Sequence, residues 1–224
     1  MTLPLSEALR HTTMEAHRDA ETSSFISELM EGRSCRAAFT MLAVQQLVIY
    51  EALEAAVAKV ADHPLVAPLA DRRLDRVESL RHDLTQLAGP DYRQRILEGR
   101  LPVVPATDAY AAVLTNDPTP ERVLANHYVR YLGDLSGGQA IAALVRRHYG
   151  IEAEALTFYQ FDGIGPVKPF KDGYRAALDA LTPTTTERAA ILDAAVESFR
   201  LNEAVFANLA GSRQPLHTRY AVAV

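Results

Sequence analysis

The sequence predicts an all-α fold in a single domain. Apolar residues recur at spacings of three and four over most of the chain, whereas the alternating Val, Ile and Thr runs that form strands are nearly absent. The chain has 224 residues, of which 48% are hydrophobic and 23% charged, a composition that supports one folded core. We expect this helical domain over residues 1–210 and a loosely attached tail over residues 211–224.

The helices of the N-terminal half are bounded by turn residues. Prolines and charged residues near position 71 interrupt the pattern after a long apolar helix, and Gly89-Pro90 ends the next helix. Residues 96–105 have no regular pattern, so we expect them to be irregular. The predicted helices of this half span residues 5–22, 25–31, 36–60 and 74–87.

The C-terminal half contains a predicted helix of 30 residues that carries six of the candidate functional positions. A loop with Gly163, Gly165, Pro166 and Pro169 is expected after it, and the run 184–187 has the Thr and Glu of a capping box at the start of the last helix. The predicted helices of this half span residues 106–114, 120–149, 170–181 and 184–209.

The charge and the termini restrict the class of protein. A net charge of -5 argues against nucleic acid or an anionic membrane as a partner. Cys35 is the single cysteine, so an internal disulfide and a cysteine-based zinc site are excluded, which fits a reducing compartment. The N-terminus has no signal-peptide core, and the final YAVAV is too short to span a bilayer. We therefore expect a cytoplasmic protein without a membrane anchor.

Three glycines interrupt the long helix within the run YLGDLSGGQ. Gly133, Gly137 and Gly138 together cost about 3 kcal/mol relative to alanine in a helix. A ligand that approaches the backbone closely would explain them, and Asp134 beside them would make the site polar. Close packing of a second helix would explain them equally well.

The first helix carries a histidine in the setting that a metal ligand needs. Arg10 and His17 are seven residues apart and share a face, and Glu21 lies one turn below His17. A carboxylate in this position accepts the proton of one ring nitrogen and leaves the other nitrogen free to bind a metal. An ordinary surface pair is the alternative. One histidine does not hold zinc, but it can hold heme iron.

Two charged pairs have both a plain and a functional interpretation. Arg130 and Asp134 are four residues apart and form either an intrahelical ion pair or a polar network beside the glycines. Lys171 and Arg175 lie one turn apart, either on a solvated face or in reach of the same anion.

The last helix carries two phenylalanines and an amide on one face. Phe199 and Phe206 are seven residues apart, a spacing more common in a core than in a cofactor wall. Asn202 lies between them and needs hydrogen bonds if it is buried, as does the hydroxyl of Tyr50 on the third helix.

These features together resemble the heme oxygenase family, most closely its soluble bacterial members. The similarity covers residues 9 to about 209 and depends on six segments. They are LRHTTMEAHRDAE (9–21), NHYVRYLGDLSGGQ (126–139), RHYG (147–150), FYQF (158–161), KDGYR (171–175) and LNEAVF (201–206). The resemblance implies a helical bundle in which heme lies between a proximal helix and a glycine-rich distal helix.

The resemblance assigns roles to the residues of these two helices. His17 matches the proximal ligand of the heme iron, and Glu21 matches the carboxylate that receives its ring proton. Gly133 and Gly137 match the distal glycines that lie against the heme, with Gly138 adding flexibility. Asp134 matches the residue that delivers protons through a network of ordered water, and Tyr50, Arg130 and Asn202 match members of that network. The residues that match the groups binding the heme propionates are Arg10, Tyr128, Lys171 and Arg175. Phe199 and Phe206 match aromatic residues that pack near the distal pocket.

Two positions depart from the family pattern. Arg10 stands where many members have lysine, which keeps the charge and changes its geometry. Pro166 stands where close bacterial relatives have a further lysine, and Lys168 follows two residues later. Because the propionate contacts orient the heme, these departures bear on the position at which the ring is cleaved.

The implied activity is oxidative cleavage of heme b to biliverdin, as the α isomer, with release of carbon monoxide and ferrous iron. O2 is a co-substrate, and electrons come from a ferredoxin or a flavoprotein reductase, since the chain has no G-x-G-x-x-G motif and too few cysteines for an iron–sulfur cluster. A monomer is expected. The alternatives are a non-catalytic heme carrier or sensor on the same fold and a helical-bundle enzyme for another small molecule.

Overall fold

A computed structural model describes residues 3–212, apart from the side chain of Glu21. Within this range the chain forms α-helices and short 3-10 helices, without strands, as predicted. The 3-10 helices span Arg72–Leu74, Ala153–Ala155, Thr157–Tyr159 and Asp162–Ile164. The α-helices are α1 (Leu5–Glu21), α2 (Ser24–Met30), α3 (Arg36–Lys59), α4 (Val77–Ala88), α5 (Tyr92–Leu97), α6 (Pro105–Asn116), α7 (Pro120–Tyr149), α8 (Val167–Ala180) and α9 (Thr185–Gly211).

Helix α3 forms the centre of the core and packs against α4, α6 and α7. By length and composition alone it could cross a membrane, but 56% of its most apolar window is buried inside the fold. Leu47, Tyr50 and Leu53 are among its buried residues. Its apolar character is therefore accounted for by the core. Helix α9 packs along both α1 and α7 and holds them in a fixed relation.

Local sequence sets the ends of α7 and α9. The side chain of Thr119 caps α7 by accepting a hydrogen bond from the Arg122 backbone N–H, and Pro120 occupies the first turn, where its missing N–H costs nothing. Gly150 ends α7 in the left-handed conformation, at φ 59°. The capping box predicted for α9 is present between Thr184 and Glu187.

Three details differ from the sequence prediction. Helix α5 was not predicted, because its six residues bury only Tyr92 and are too few to show a periodic pattern. Helix α8 begins at Val167, so Pro169 lies in its first turn, where proline is tolerated, and not in a loop. The last helix extends to Gly211, and the rest of the predicted tail, 213–224, lies outside the described residues.

Candidate active site

A cleft opens between α1 and α7, with α9 along one side. It has an outer lobe of about 540 Å³ and an inner lobe of about 340 Å³. His17, Gly133 and Phe199 line both lobes, so the two are adjacent parts of one cleft. Helix α1 contributes one face, because Arg10, Thr13, Met14 and His17 all line the outer lobe at spacings of three and four.

His17 lies on the α1 wall of the cleft. Its ring packs edge-on against the ring of Phe199, with centroids 5.5 Å apart and an interplanar angle of 64°. The resemblance places Phe199 near the distal pocket, whereas the structure sets its ring beside the expected proximal histidine. The side chain of Glu21 lies outside the described structure, so its hydrogen bond to His17 stays a prediction.

The three glycines of α7 have two different roles. Gly133 and Gly137 line the cleft, and a Cβ atom built on either would meet nothing within 4 Å. Gly138 is buried, and a Cβ there would lie 3.0 Å from Cδ1 of Tyr159. The first two glycines leave room for a ligand, while Gly138 permits close packing. We therefore assign Gly138 a packing role in place of the flexibility implied by the resemblance.

Alanine substitutions should separate these two roles. Gly133→Ala should stabilise the heme-free protein by roughly 0.5–1 kcal/mol, because alanine favours the helix and the new methyl group meets only open space. Gly138→Ala should lack this gain, because its methyl group crowds Tyr159. Urea unfolding measures both variants. Hemin titration should show weaker binding for Gly133→Ala, and equal destabilisation by the two substitutions would contradict the assignment.

Behind the glycine face, four of the predicted residues form a polar network. The Tyr50 hydroxyl donates to Oδ2 of Asp134, and Nη1 of Arg130 donates to Oδ1 of Asn202 at 2.8 Å. The guanidinium of Arg130 also lies 4.8 Å from the centre of the Tyr50 ring. Arg130 thus contacts Asn202 and Tyr50 instead of forming a simple helical ion pair with Asp134. The sequence allowed either an ion pair or a polar network for Arg130 and Asp134, and the structure shows the network.

The network sets the protonation of Asp134. Burial raises the pKa of Asp134 to about 6, although Arg130 and the hydrogen bond from Tyr50 act in the opposite direction. Burial, together with the nearby Asp134 charge, raises the pKa of Tyr50 well above its ordinary value. At neutral pH Tyr50 is therefore a protonated donor. Asp134 titrates close to neutral pH, which suits a group that takes up and releases protons.

Removal of the Tyr50 hydroxyl should shift this titration upward. The hydrogen bond from Tyr50 stabilises the charged form of Asp134, so Tyr50→Phe should raise the pKa of Asp134 above about 6. Carboxyl 13C chemical shifts of the heme-free protein, followed from pH 4 to pH 8, measure it directly. Asp134→Asn identifies the resonance. An unchanged or lower pKa in Tyr50→Phe would show that the hydrogen bond is not formed in solution.

Cations predominate at the mouth of the outer lobe, which Glu7 also lines. Arg10, Tyr128 and Arg175 line it, and Nζ of Lys171 donates to Oγ of Ser136, another lining residue, at 2.7 Å. Burial and the neighbouring Arg175 lower the pKa of Lys171. An anion at the mouth would therefore be held by the groups that the resemblance assigns to the propionates.

The departure from the family pattern at Pro166 adds no cation to the mouth. Pro166 caps the start of α8, and Lys168 is paired with Asp172 at 3.1 Å on the exposed face of that helix. Neither residue lines the cleft. The cations of the mouth therefore come from α1 and from one face of α8.

The structure adds residues that the sequence did not single out. Met14 on α1 and Gln46 on α3 line the cleft, and Tyr159 also lines its inner lobe. Tyr159 belongs to the quoted FYQF segment, but no role followed from that motif. The glycine beside it was the available signal, since Gly138 is needed to make room for its ring. Met14 shares the helix face of Arg10 and His17, and that spacing was its available signal, whereas Gln46 had none, because it faces the cleft only after the helices pack.

The inner lobe is mainly apolar, and one of its lining residues, Phe206, stacks on Phe25 with ring centroids 6.1 Å apart. The cleft thus combines an apolar lobe, a histidine on one wall, two glycines on the other wall and cations at its mouth. This combination matches the chemistry of heme. Heme is a flat apolar ring with a central iron and two carboxylates at one edge. The donor set of the cleft therefore fits heme as the substrate.

Comparison with known proteins agrees with this geometry. The family model described as Heme oxygenase matches residues 3–208. The heme oxygenase of Porphyra purpurea is 33% identical over 215 residues, which cover 95% of this chain and 89% of that protein.

Solved structures are similar over nearly the whole chain. The crystal structure of heme oxygenase-1 from the cyanobacterium Synechocystis in complex with heme has a TM-score of 0.87 and 28% identity, covering 98% of this chain and 100% of that one. The structure of heme oxygenase from Leptospira interrogans has a TM-score of 0.83 and 30% identity, covering 91% and 98%. By family match, sequence and fold, this chain belongs to the heme oxygenase family.

Proposed function

We propose that this protein cleaves heme to biliverdin, as the α isomer, and releases carbon monoxide and ferrous iron. One observation carries the proposal: His17 faces Gly133 and Gly137 across a single cleft, and Asp134 stands at the edge of that cleft. A histidine on one side holds the iron, and a wall without side chains on the other leaves space for a small molecule.

The side chains of the cleft have separate roles in the proposed reaction. When bound, heme supplies both the iron that binds O2 and the ring carbon that is oxidised. His17 holds the iron, and the cations at the mouth orient the ring through its propionates. Asp134, with Tyr50 behind it, holds and moves protons at the distal wall. The apolar inner lobe excludes bulk water from the reacting edge.

Electrons come from an external donor, either a ferredoxin or a flavoprotein reductase. The exposed Arg10 and Arg175 and the half-buried Lys171 form a cationic rim where an acidic donor would approach the heme edge. We further propose that the protein acts in the cytoplasm as a monomer; α3, the one described helix that is long and apolar enough to cross a membrane, lies in the core of the fold.

Hemin addition under air tests the proposal against the carrier alternative. With ascorbate as the reductant, the Soret band should decay and biliverdin should form, and chromatography should identify the α isomer. A heme carrier or sensor would keep its Soret band. Failure to bind hemin at one equivalent would favour an enzyme for another small molecule.

A further inference from the structure

A second cavity lies behind the distal wall. This back cavity has a volume of about 480 Å³ and is lined by the α7 residues Asp134, Leu135 and Gln139 and by residues of the segment 159–167. From that segment come Tyr159, the exposed carboxylate of Asp162 and the half-buried Val167. Apart from Asp134 and Tyr159, the residues that line it do not line the cleft.

The position of Asp134 on α7 places it between the two spaces. Successive helical residues turn by about 100°, so Gly133 and Gly137 share one face and Leu135 and Gln139 lie on nearly the opposite one. Asp134 falls between these faces and lines both the inner lobe and the back cavity. Asp134 therefore borders the spaces on both sides of the distal wall.

Tyr159 also lines both spaces. The residue is 3% exposed. Among the described residues the Tyr159 hydroxyl has no hydrogen-bond partner of normal geometry. The side chain of Gln46 lies near it and acts to lower its pKa. Burial raises the pKa of Tyr159, so the hydroxyl keeps its proton. A buried polar group without a protein partner usually holds an ordered water molecule. Such a water would lie between the back cavity and the inner lobe.

The turn that carries Tyr159 is firmly held. Nε2 of Gln139 donates to the Tyr159 carbonyl at 2.8 Å, and the Asp83 carboxylate accepts from the backbone N–H groups of Thr157 and Phe158, both at 2.9 Å. These bonds tie the 3-10 helix 157–159 to α4 and α7. The back cavity is therefore bounded by structured backbone.

We propose that the back cavity is the route by which water and protons reach Asp134 while heme fills the cleft. The inference rests on the proposed function, because oxidative ring cleavage consumes protons and a bound heme covers the front of the cleft. For each proton that Asp134 releases toward the substrate, it takes up one from water in the back cavity, and that water takes up a proton in turn from solvent past Asp162. Only water and protons move along this route, so no oxidant or reductant is needed. Tyr159 acts as a positioning residue that holds the connecting water.

Hydroxyl exchange of Tyr159 tests the route without turnover. In mixed H2O and D2O, the isotope shift of 13Cζ-labelled tyrosine reports how fast the hydroxyl proton exchanges with solvent, and Tyr159→Phe assigns the signal. Gallium protoporphyrin serves as a diamagnetic probe that fills the cleft. In the parental protein, the exchange rate of the Tyr159 hydroxyl proton should change by less than about threefold when the probe binds, because the back cavity still supplies water.

A variant that fills the back cavity should make exchange depend on the cleft. Val167→Trp should slow exchange at Tyr159 by about tenfold in the porphyrin complex and little in the free protein. Val60→Trp is the matched control, since Val60 is also half-buried but lines neither space. A parental protein in which porphyrin alone slows exchange tenfold, or a Val167→Trp complex that exchanges at the parental rate, would overturn the proposal.

Turnover separates this inference from the proposed function. Val167→Trp and Asp162→Asn should each slow single-turnover heme loss by about tenfold and increase its solvent isotope effect, with hemin affinity unchanged. Asp193→Asn, an exposed carboxylate of α9 that lines neither space, should behave as the parent. If the parental protein makes no biliverdin, the proposed function fails. If it does so and both back-cavity variants keep its rate and isotope effect, only the route is wrong.

Discussion

His17→Ala should leave the fold intact and abolish normal heme ligation and turnover. His17 lies on the cleft wall of α1 and is exposed there, so alanine removes the expected iron ligand and its contact with Phe199 without opening a cavity in the core, and it gains helix propensity. The visible spectrum of the hemin complex should lose the signature of a histidine ligand, and biliverdin formation should fall to the background rate. Added imidazole should restore the spectrum in part, because it can bind the heme iron from the space that the His17 side chain left.

The matched control is His11→Ala on the same helix. His11 is exposed, and its Nε2 lies 3.6 Å from the Glu7 carboxylate, but it does not line the cleft. Its hemin spectrum and rate should equal those of the parent. Biliverdin formation by His17→Ala at the parental rate would show that another residue holds the iron.

Asp134→Ala should bind heme with near-parental affinity and lose about 10²-fold or more in the rate of ring opening. The carboxyl group stands at the edge of the cleft with a pKa of about 6, and it accepts the hydrogen bond of Tyr50. Alanine leaves the distal wall open and removes the group that exchanges protons there. Single-turnover spectra with ascorbate and O2 should show slow or diverted loss of the Soret band, with little biliverdin.

Asp134→Asn distinguishes proton transfer from shape. Asparagine keeps the size of the side chain and still accepts a hydrogen bond from Tyr50, but it does not titrate. We expect a loss similar to that of alanine. Full activity in Asp134→Asn would mean that the position needs only a hydrogen-bond acceptor, and an unchanged biliverdin yield in Asp134→Ala would remove Asp134 from the mechanism.

Much of the helical pattern followed from local signals in the sequence. The bounds of α7 were predicted correctly, because Pro120 and Gly150 act within one turn of the chain. The shared face of Arg10 and His17 followed from spacing, and both residues line the outer lobe. Helix α5 was missed, since six residues with one buried side chain carry no period.

The arrangement of the site depended on contacts between distant segments. Gly133 and Gly138 are alike in sequence, yet one faces open space and the other faces Tyr159, 21 positions further along the chain. Arg130 and Asp134 have the spacing of an ion pair, but Asn202 on α9 and Tyr50 on α3 draw them into a network. No local pattern encodes these choices.

The sequence by itself determined the helical class, the bounds of the long distal helix and the residue types that heme chemistry needs, because caps and periodicity act over a few residues. Only the tertiary structure decided which glycines border the cleft, where Phe199 packs, and that Asp134 and Tyr159 each border two cavities. Those outcomes depend on how α1, α3, α7 and α9 rotate against one another, and that rotation is set by the summed packing of side chains far apart in the chain.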